Sequence, residues 1–247
     1  MPRPSEHAGL AAALRPVTLL TGHYGSGKTE IAVNLALALR AAGAEVSLVD
    51  LDLVKPYFRC RLARAELAGA GVRLVAPEGA RLFADLPILV PEAAAAARGG
   101  AAAARRVVLD VGGADTGARV LGSLAALGGG AAVDALFVVN SRRPFAEDLD
   151  GLRAMLHDVQ AAARLPVTGL VANGHLMQET TPATVRDGLR AARALEAATG
   201  VPLRFAAMLA PLAGELAGPA GGLDGLPVLP LTRYIRAPFE PGARGVV

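Results

Sequence analysis

A chain of 247 residues has room for one sizeable α/β domain with an ample core. Hydrophobic residues make up 53%, much of it alanine, while aromatics are only 4% and tryptophan is absent, so the core must rest on Leu, Val and Ala. A formal net charge of +3 is too small to argue for nucleic acid, a lone cysteine (Cys60) excludes an intramolecular disulfide framework and a Cys-rich metal site and fits a reducing cytoplasm, and no stretch reaches the roughly 18 uncharged apolar residues of a membrane span.

Residues 1–14 contain Glu6 and His7 and no long apolar run, so they read as a flexible, disordered lead-in rather than a signal peptide. Residues 15–247 read as a single domain, with no convincing linker and no internal repeat. Pro16 to Thr21 is a short apolar run ending at Gly22, the pattern of a buried parallel strand. Helical spacing follows over Lys28 to Arg40, and Gly43 stops it. Glu45 to Asp50 is a second strand, Arg61 to Ala70 a helix, and Val72 to Ala76 a short strand. Pro77, Pro87 and Pro91 break up the next segment, where a short helix is expected over Glu92 to Arg98. Arg106 to Asp110 is a strand with an acid at its end, followed by a helix over Thr116 to Leu127. Ala135 to Asn140 is a strand, Phe145 to Arg164 a helix, Val167 to Asn173 a strand, and Pro182 to Thr199 a helix ended by Gly200. Leu203 to Met208 and Val228 to Leu231 complete the strands.

This alternation predicts an α/β fold: a mostly parallel central sheet with helices on both faces, a three-layer sandwich. Ligands of such sheets bind beyond the carboxyl ends of the strands. Gly22, Asp50, Asp110, Asn140 and Asn173 all fall on that edge.

The segment Gly22-His23-Tyr24-Gly25-Ser26-Gly27-Lys28-Thr29 meets the pattern G-x-x-x-x-G-K-[ST]. Its glycines let the backbone curl so that successive N–H groups face phosphate oxygens, and the helix opening at Lys28 adds a partial positive charge. Gly22, Gly25, Ser26, Gly27, Lys28, Thr29 and the adjoining Glu30 are therefore candidate nucleotide contacts. Lys28 is expected to reach the β- and γ-phosphates, and Thr29 to offer its hydroxyl to Mg²⁺. Composition argues independently for Lys28: only it and Lys55 are lysine among 25 basic residues, and a compact ammonium fits among phosphates where a planar guanidinium does not. The bland alternative is a Gly-rich turn that holds nothing, but a strand before and a helix after are the context the motif requires.

Asp110 ends a strand of form h-h-h-h-D, and its carboxylate is placed to accept hydrogen bonds from Mg²⁺-bound water. Gly113, three residues on, allows a close approach to the γ-phosphate, as in a D-x-x-G switch segment. Asp50 and Asp52 flank Leu51, and strand alternation puts both on one side. One is a candidate for orienting the attacking water and the other for the metal shell. A solvated strand end is the competing reading. Asp115 is a candidate helix cap.

Together these motifs resemble the SIMIBI class of P-loop NTPases, within it the MinD/ParA and cobyrinate-synthase-like group, over most of residues 16–210. That group's loop reads G-K-G-G-x-G-K-[ST]; its acidic motif resembles Val49-Asp50-Leu51-Asp52, and its Walker B strand resembles Val107-Val108-Leu109-Asp110. An Asn after a later strand resembles Asn173. The segments Gly22 to Glu30 and Pro56 to Arg59 also resemble a subgroup of ATP-binding proteins carrying G-H-Y-G-S-G-K-T-E and P-Y-F-R. The resemblance implies Asp52 as the residue that activates water, with Asp50 secondary, and implies that Asn173 reads the adenine edge through a carboxamide that both donates and accepts. Asn140 is a further candidate nucleotide contact. The group's signature lysine, which reaches across a nucleotide-sandwiched dimer, is His23 here, and the next glycine is Tyr24. His23 is fully charged only at lower pH and reaches less far, so a homodimer remains open but without that contact. Tyr24 is expected to pack over the loop. The resemblance to maturation GTPases of the same class is weaker. Their N-K-x-D guanine motif has no counterpart at Asn173-Gly174-His175-Leu176 or Asn140-Ser141-Arg142-Arg143.

The remaining features have bland readings beside sharper ones. Arg142 and Arg143 stand at the site's edge, either touching phosphate or base or pairing with Glu147 or Asp148. Arg186, Arg190 and Arg193 share a helical face that is expected to be solvated, and Lys55 to Arg59 offers either a partner surface or local packing. Pro238 and Pro241 argue against an amphipathic membrane helix in the tail. The first reading is thus a cytoplasmic Mg²⁺-dependent ATPase with Lys28, Asp52 and Asp110 as its catalytic residues and Thr29, Asp110 and Asp50 as its metal shell, acting as a switch or energy-coupling module on a protein partner that the sequence does not name. The alternatives are an ATP-dependent kinase or ligase of the dethiobiotin- or cobyrinate-synthase type acting on a small-molecule acceptor, a GTPase chaperone for metal centres, and a nucleotide-binding regulator without turnover.

Overall fold

A computed structural model of the protein describes residues 4–51, 60–76, 105–111, 133–144, 146–163, 166–216 and 223–236. Its centre is an eight-stranded sheet in the order β3-β2-β4-β1-β5-β6-β7-β8. The strands are β1 (Val17–Thr21), β2 (Glu45–Asp50), β3 (Arg73–Val75), β4 (Arg105–Asp110), β5 (Val133–Val139), β6 (Gly169–Ala172), β7 (Leu203–Leu209) and β8 (Val228–Leu231). Every pairing is parallel.

The described helices are α1 (Pro4–Ala13), α2 (Lys28–Ala41), α3 (Arg64–Gly69), α4 (Leu149–Ala163), α5 (Pro182–Thr199) and α6 (Ala210–Leu216). Burial on both faces explains why the central strands read as unbroken apolar runs: all five residues of β1 and all seven of β5 are buried. Within β5 the faces still alternate. Leu136 and Val138 join a cluster with Leu10, Ile31, Leu35, Leu48 and Phe205, while Phe137 and Val139 join Leu152, Leu156, Leu189 and Met208 on the other side.

The chain steps outward from β1 to β2 and β3, returns to β4, then crosses to β5 and runs on to β8. The order reverses at β1, which lies between β4 and β5. This is the switch point where a parallel sheet opens a crevice, and the turn leaving β1 is the glycine-rich loop.

Several elements differ from the sequence expectation, among them the helix expected over Arg61 to Ala70, which is a 3-10 turn at Cys60–Ala63 followed by α3 from Arg64. Residues Pro4–Ala13, expected as a disordered lead-in, form α1, because Leu10 and Leu14 find a buried place in the cluster with Ile31, Leu35, Leu231 and Ile235. Helix α4 starts at Leu149 rather than Phe145, since Asp148 caps it: its Oδ1 accepts from the Gly151 N–H at 2.8 Å. Helix α6 and a 3-10 turn at Met177–Glu179 lie in stretches to which the sequence reading assigned no element. The helices expected over 92–98 and 116–127 lie outside the described residues.

Candidate functional site

Beyond β1 the loop folds around the Lys28 ammonium. Lys28 is buried, and its Nζ donates to the carbonyls of Gly22 at 3.0 Å and His23 at 2.9 Å. The turn is closed by the Ser26 N–H donating to His23 O, and α2 begins with the Ile31 N–H on Gly27 O. Gly27 has φ 95°, in the left-handed region, and a Cβ there would fall on Asn173 Nδ2. Only glycine lets the loop and the end of β6 approach this closely. Thr29, at the first turn of α2, is buried beside Lys28.

Asn173 follows β6 and is buried. Its Nδ2 donates to Ser26 O at 2.7 Å, while its Oδ1 is buried and has no hydrogen-bond partner among the described residues. A flipped amide would set oxygen against the Ser26 carbonyl, so the bond fixes the oxygen as the end left unpartnered. Asn140 is spent elsewhere: its Nδ2 donates to His175 O at 3.2 Å and its Oδ1 accepts from the Arg142 N–H at 3.1 Å. It braces two loops and does not line the cavity described below, because both ends of its carboxamide are already matched to backbone.

The acids sit together on the opposite flank of β1. Asp50 and Asp110 are register partners across β2 and β4, and both are buried. Cys60 donates its Sγ–H to Asp110 Oδ2 at 3.3 Å. Burial pushes the Cys60 thiol pKa well up, and the two aspartates push it further, so it stays protonated. Asp50 and Asp110 supply carboxylate oxygens at these strand ends and Thr29 a hydroxyl at the start of α2, and oxygens are the donors a hard cation such as Mg²⁺ prefers. The protonated thiol does not compete for it. Asp52, Gly113 and the Lys55–Arg59 segment lie outside the described residues.

A cavity of about 280 Å³ opens on the other flank, bounded by the loop (Gly25, Gly27, Lys28, Thr29), by Asn173 and His175, by Leu231 at the end of β8, and by Arg233 and Ile235 after it. Tyr24 also lines it and is 63% exposed, so most of its surface is open rather than covered by packing on the loop. Arg143 also lines the cavity, whereas Arg142 turns away to pair with Asp187. The wall formed by Leu231 to Ile235 was not foreseen. The signal for it lies in α2: Glu30 and Asn34, polar residues one turn apart, both reach that segment, and both oxygens of the Glu30 carboxylate, expected as a nucleotide contact, are taken by the Tyr234 and Ile235 N–H groups.

Two groups at the cavity have displaced pKa values. Burial pushes the Glu30 carboxyl up to about 7, against backbone N–H groups of Tyr234 and Ile235 and the nearby Arg233 that favour its charge. Burial, with the cations Arg143 and Arg233 adding to it, lowers His175 to about 4, so its ring is neutral at pH 7.

A phosphate-cradling loop at the switch point of an all-parallel sheet, with its lysine at the centre and two acids at the neighbouring strand ends, defines a P-loop NTPase of the SIMIBI class. The chain belongs to the family of the CobQ/CobB/MinD/ParA nucleotide-binding domain, whose model matches residues 17–212. Among curated proteins it is 42% identical over 62 residues to the cytosolic Fe-S cluster assembly factor NUBP2 of Bos taurus, a stretch covering 25% of this chain and 22% of that protein. The match thus spans less than a quarter of the relative's length. The fold is similar to that of the cell division protein FtsY from Thermotoga maritima, at TM-score 0.52 and 20% identity over 82% of this chain and 68% of that one. It is likewise similar to the signal recognition particle receptor FtsY from Elizabethkingia anophelis in complex with GDP, at TM-score 0.53 and 18% identity over 83% and 64%. Among the described residues no helix is long and apolar enough to cross a membrane.

Proposed function

We propose that the protein binds ATP with Mg²⁺ and hydrolyses it as a switch or energy-coupling module. The observation that carries the choice of adenine is the fixed carboxamide of Asn173. With Nδ2 held by Ser26 O, the buried group left for a ligand is the acceptor Oδ1. Adenine offers an amino donor at its exocyclic position, whereas guanine offers a carbonyl oxygen there. An unmatched buried acceptor facing another acceptor costs about 1–3 kcal/mol.

Lys28 and the loop amides stabilise charge spreading over the γ-phosphate, acting through groups already oriented for it. Thr29, Asp110 and Asp50 hold the Mg²⁺ shell, partly through water; the ion neutralises phosphate charge when bound. The family resemblance assigns the orienting of water to Asp52, and the D-x-x-G pattern assigns the switch to the Asp110-to-Gly113 segment. Movement of the segment after Asp110 on hydrolysis would then pass the nucleotide state to a partner protein.

Phosphate release by the purified protein, with ATP and GTP compared, tests this reading. ATP turnover without any added acceptor, lost in Asp52→Ala with binding retained, is the expected result. Turnover that appears only with a carboxylate metabolite would replace the switch by a synthase. Preference for GTP would overturn the role given to Asn173, and a Lys28→Ala variant that binds Mg²⁺-ATP as tightly as wild type would overturn the site itself.

A further inference from the structure

The segment after β8 is tied to the phosphate-loop helix by a set of side-chain bonds. Glu30 Oε1 accepts from the Tyr234 N–H at 2.7 Å, and Oε2 accepts from the Ile235 N–H at 3.1 Å. One turn on, Asn34 makes a reciprocal pair with Thr232: its Nδ2 donates to Thr232 O at 2.9 Å and its Oδ1 accepts from Thr232 N–H at 2.8 Å. Asn34 Nδ2 also donates to Glu30 O, so the two clamping residues are linked along the helix. Ile235 is buried under this clamp, and Leu231, Arg233 and Ile235 face the cavity beside Lys28. The segment has no strand or helix of its own to hold it, and Glu30 follows directly on the residue expected to ligate Mg²⁺.

We propose that Glu30 and Asn34 are positioning residues that hold Thr232–Ile235 in register with the phosphate loop as the wall of the nucleobase cavity. The inference rests on the reading above that this cavity receives the base. Losing the clamp frees the wall but leaves Gly22–Thr29 and its amides in place. Base recognition should therefore weaken while phosphate recognition does not, and selectivity between bases should fall with it. Glu30→Gln keeps one of the two acceptors and turns an amide toward the second N–H, so it should be intermediate between wild type and Glu30→Ala.

The test measures affinity of the full-length protein for Mg²⁺-ATP, Mg²⁺-GTP and inorganic tripolyphosphate, the last carrying phosphates without a base. Wild type should favour ATP over tripolyphosphate. In Glu30→Ala and Asn34→Leu, ATP affinity should fall about tenfold or more, with tripolyphosphate changed by less than about twofold. If wild type binds tripolyphosphate as tightly as ATP, the cavity does not take the base and the underlying reading fails. If wild type favours ATP and the variants keep the same ATP-to-tripolyphosphate ratio, the clamp inference alone fails. Amide hydrogen exchange on unmutated protein gives a second measure should a variant not fold. ATP should slow exchange over residues 232–236 and tripolyphosphate should not; equal protection by both ligands would overturn the proposal.

Discussion

One end of the Asn173 carboxamide is committed to Ser26 O and the other is buried without a hydrogen-bond partner among the described residues, in a residue that lines the cavity, and this asymmetry makes a sharp prediction. Asn173→Ala should weaken ATP binding by about 2 kcal/mol, close to thirtyfold, and weaken GTP binding less, as isothermal titration with both nucleotides would reveal. Glu30 and His175 give a second prediction at this scale, through pH. The Glu30 pKa is raised to about 7 from 4.5, so its contribution to stability is full below pH 4.5 and is lost as pH rises through 7. His175 is lowered to about 4 from 6.5, so its contribution is full above pH 6.5 and is lost as pH falls through 4. Between these limits the two slopes oppose each other in the wild type. Glu30→Gln removes one of them, so its urea midpoint should fall more steeply than the wild type's between pH 6.5 and 4.5. Parallel slopes for the two proteins would contradict the assignment. Lys28, Thr29, Asp110 and Asn173 were legible from sequence because each sits in a motif or at a strand end. Arg233 and His175 were not, because their place depends on which distant strands become neighbours.

At the scale of elements, strands and helices were legible wherever period and punctuation agreed. Helix α5 illustrates this: Pro182 opens it, Gly200 closes it with φ 73°, and the sequence reading gave the same bounds. Its start is held by Thr181, whose hydroxyl accepts from the Thr184 N–H at 3.2 Å while Thr184 Oγ1 accepts from the Thr181 N–H at 3.4 Å. Thr181→Ala should therefore cost about 1 kcal/mol in thermal unfolding. Helix α5 also carries the loop after β6. Gly174 and Gly188 pack backbone to backbone, and a Cβ on either would meet the other chain segment within 3 Å. The same variant should thus leave nucleotide affinity nearly unchanged, since Gly188 and not the cap sets where Asn173 stands. Helix α4 was misplaced by a few residues because Phe145 extends the apolar pattern past the true cap at Asp148. Period alone does not distinguish a capping turn from a first helical turn.

At the scale of the whole molecule, strand order decides which residues share the site, and no local pattern encodes it. Burial on both faces makes every central strand look alike, so β4 beside β1 follows only from the returning crossover. The far end of that order brings β8 and the segment after it onto α2, where α1 packs as well: Leu10, Leu14, Leu231 and Ile235 share one cluster with Ile31 and Leu35. A helix whose sequence reads as a lead-in thereby supports the wall of the cavity from beneath. Leu10→Ala should lower stability by about 2–5 kcal/mol, the range for emptying a buried leucine site, where an unstructured lead-in would show no effect. Because nucleotide binds only the folded state, ATP at about 100 times the wild type's dissociation constant should return close to 2.7 kcal/mol to the wild type. The size of that rescue separates two routes. If α1 only adds core area, the ATP-induced rise in unfolding free energy is equal in the two proteins. If α1 also seats the clamped segment, the variant gains less at the same ATP concentration, because its affinity has dropped as well. Tripolyphosphate, which needs no wall, should rescue both proteins equally in either case.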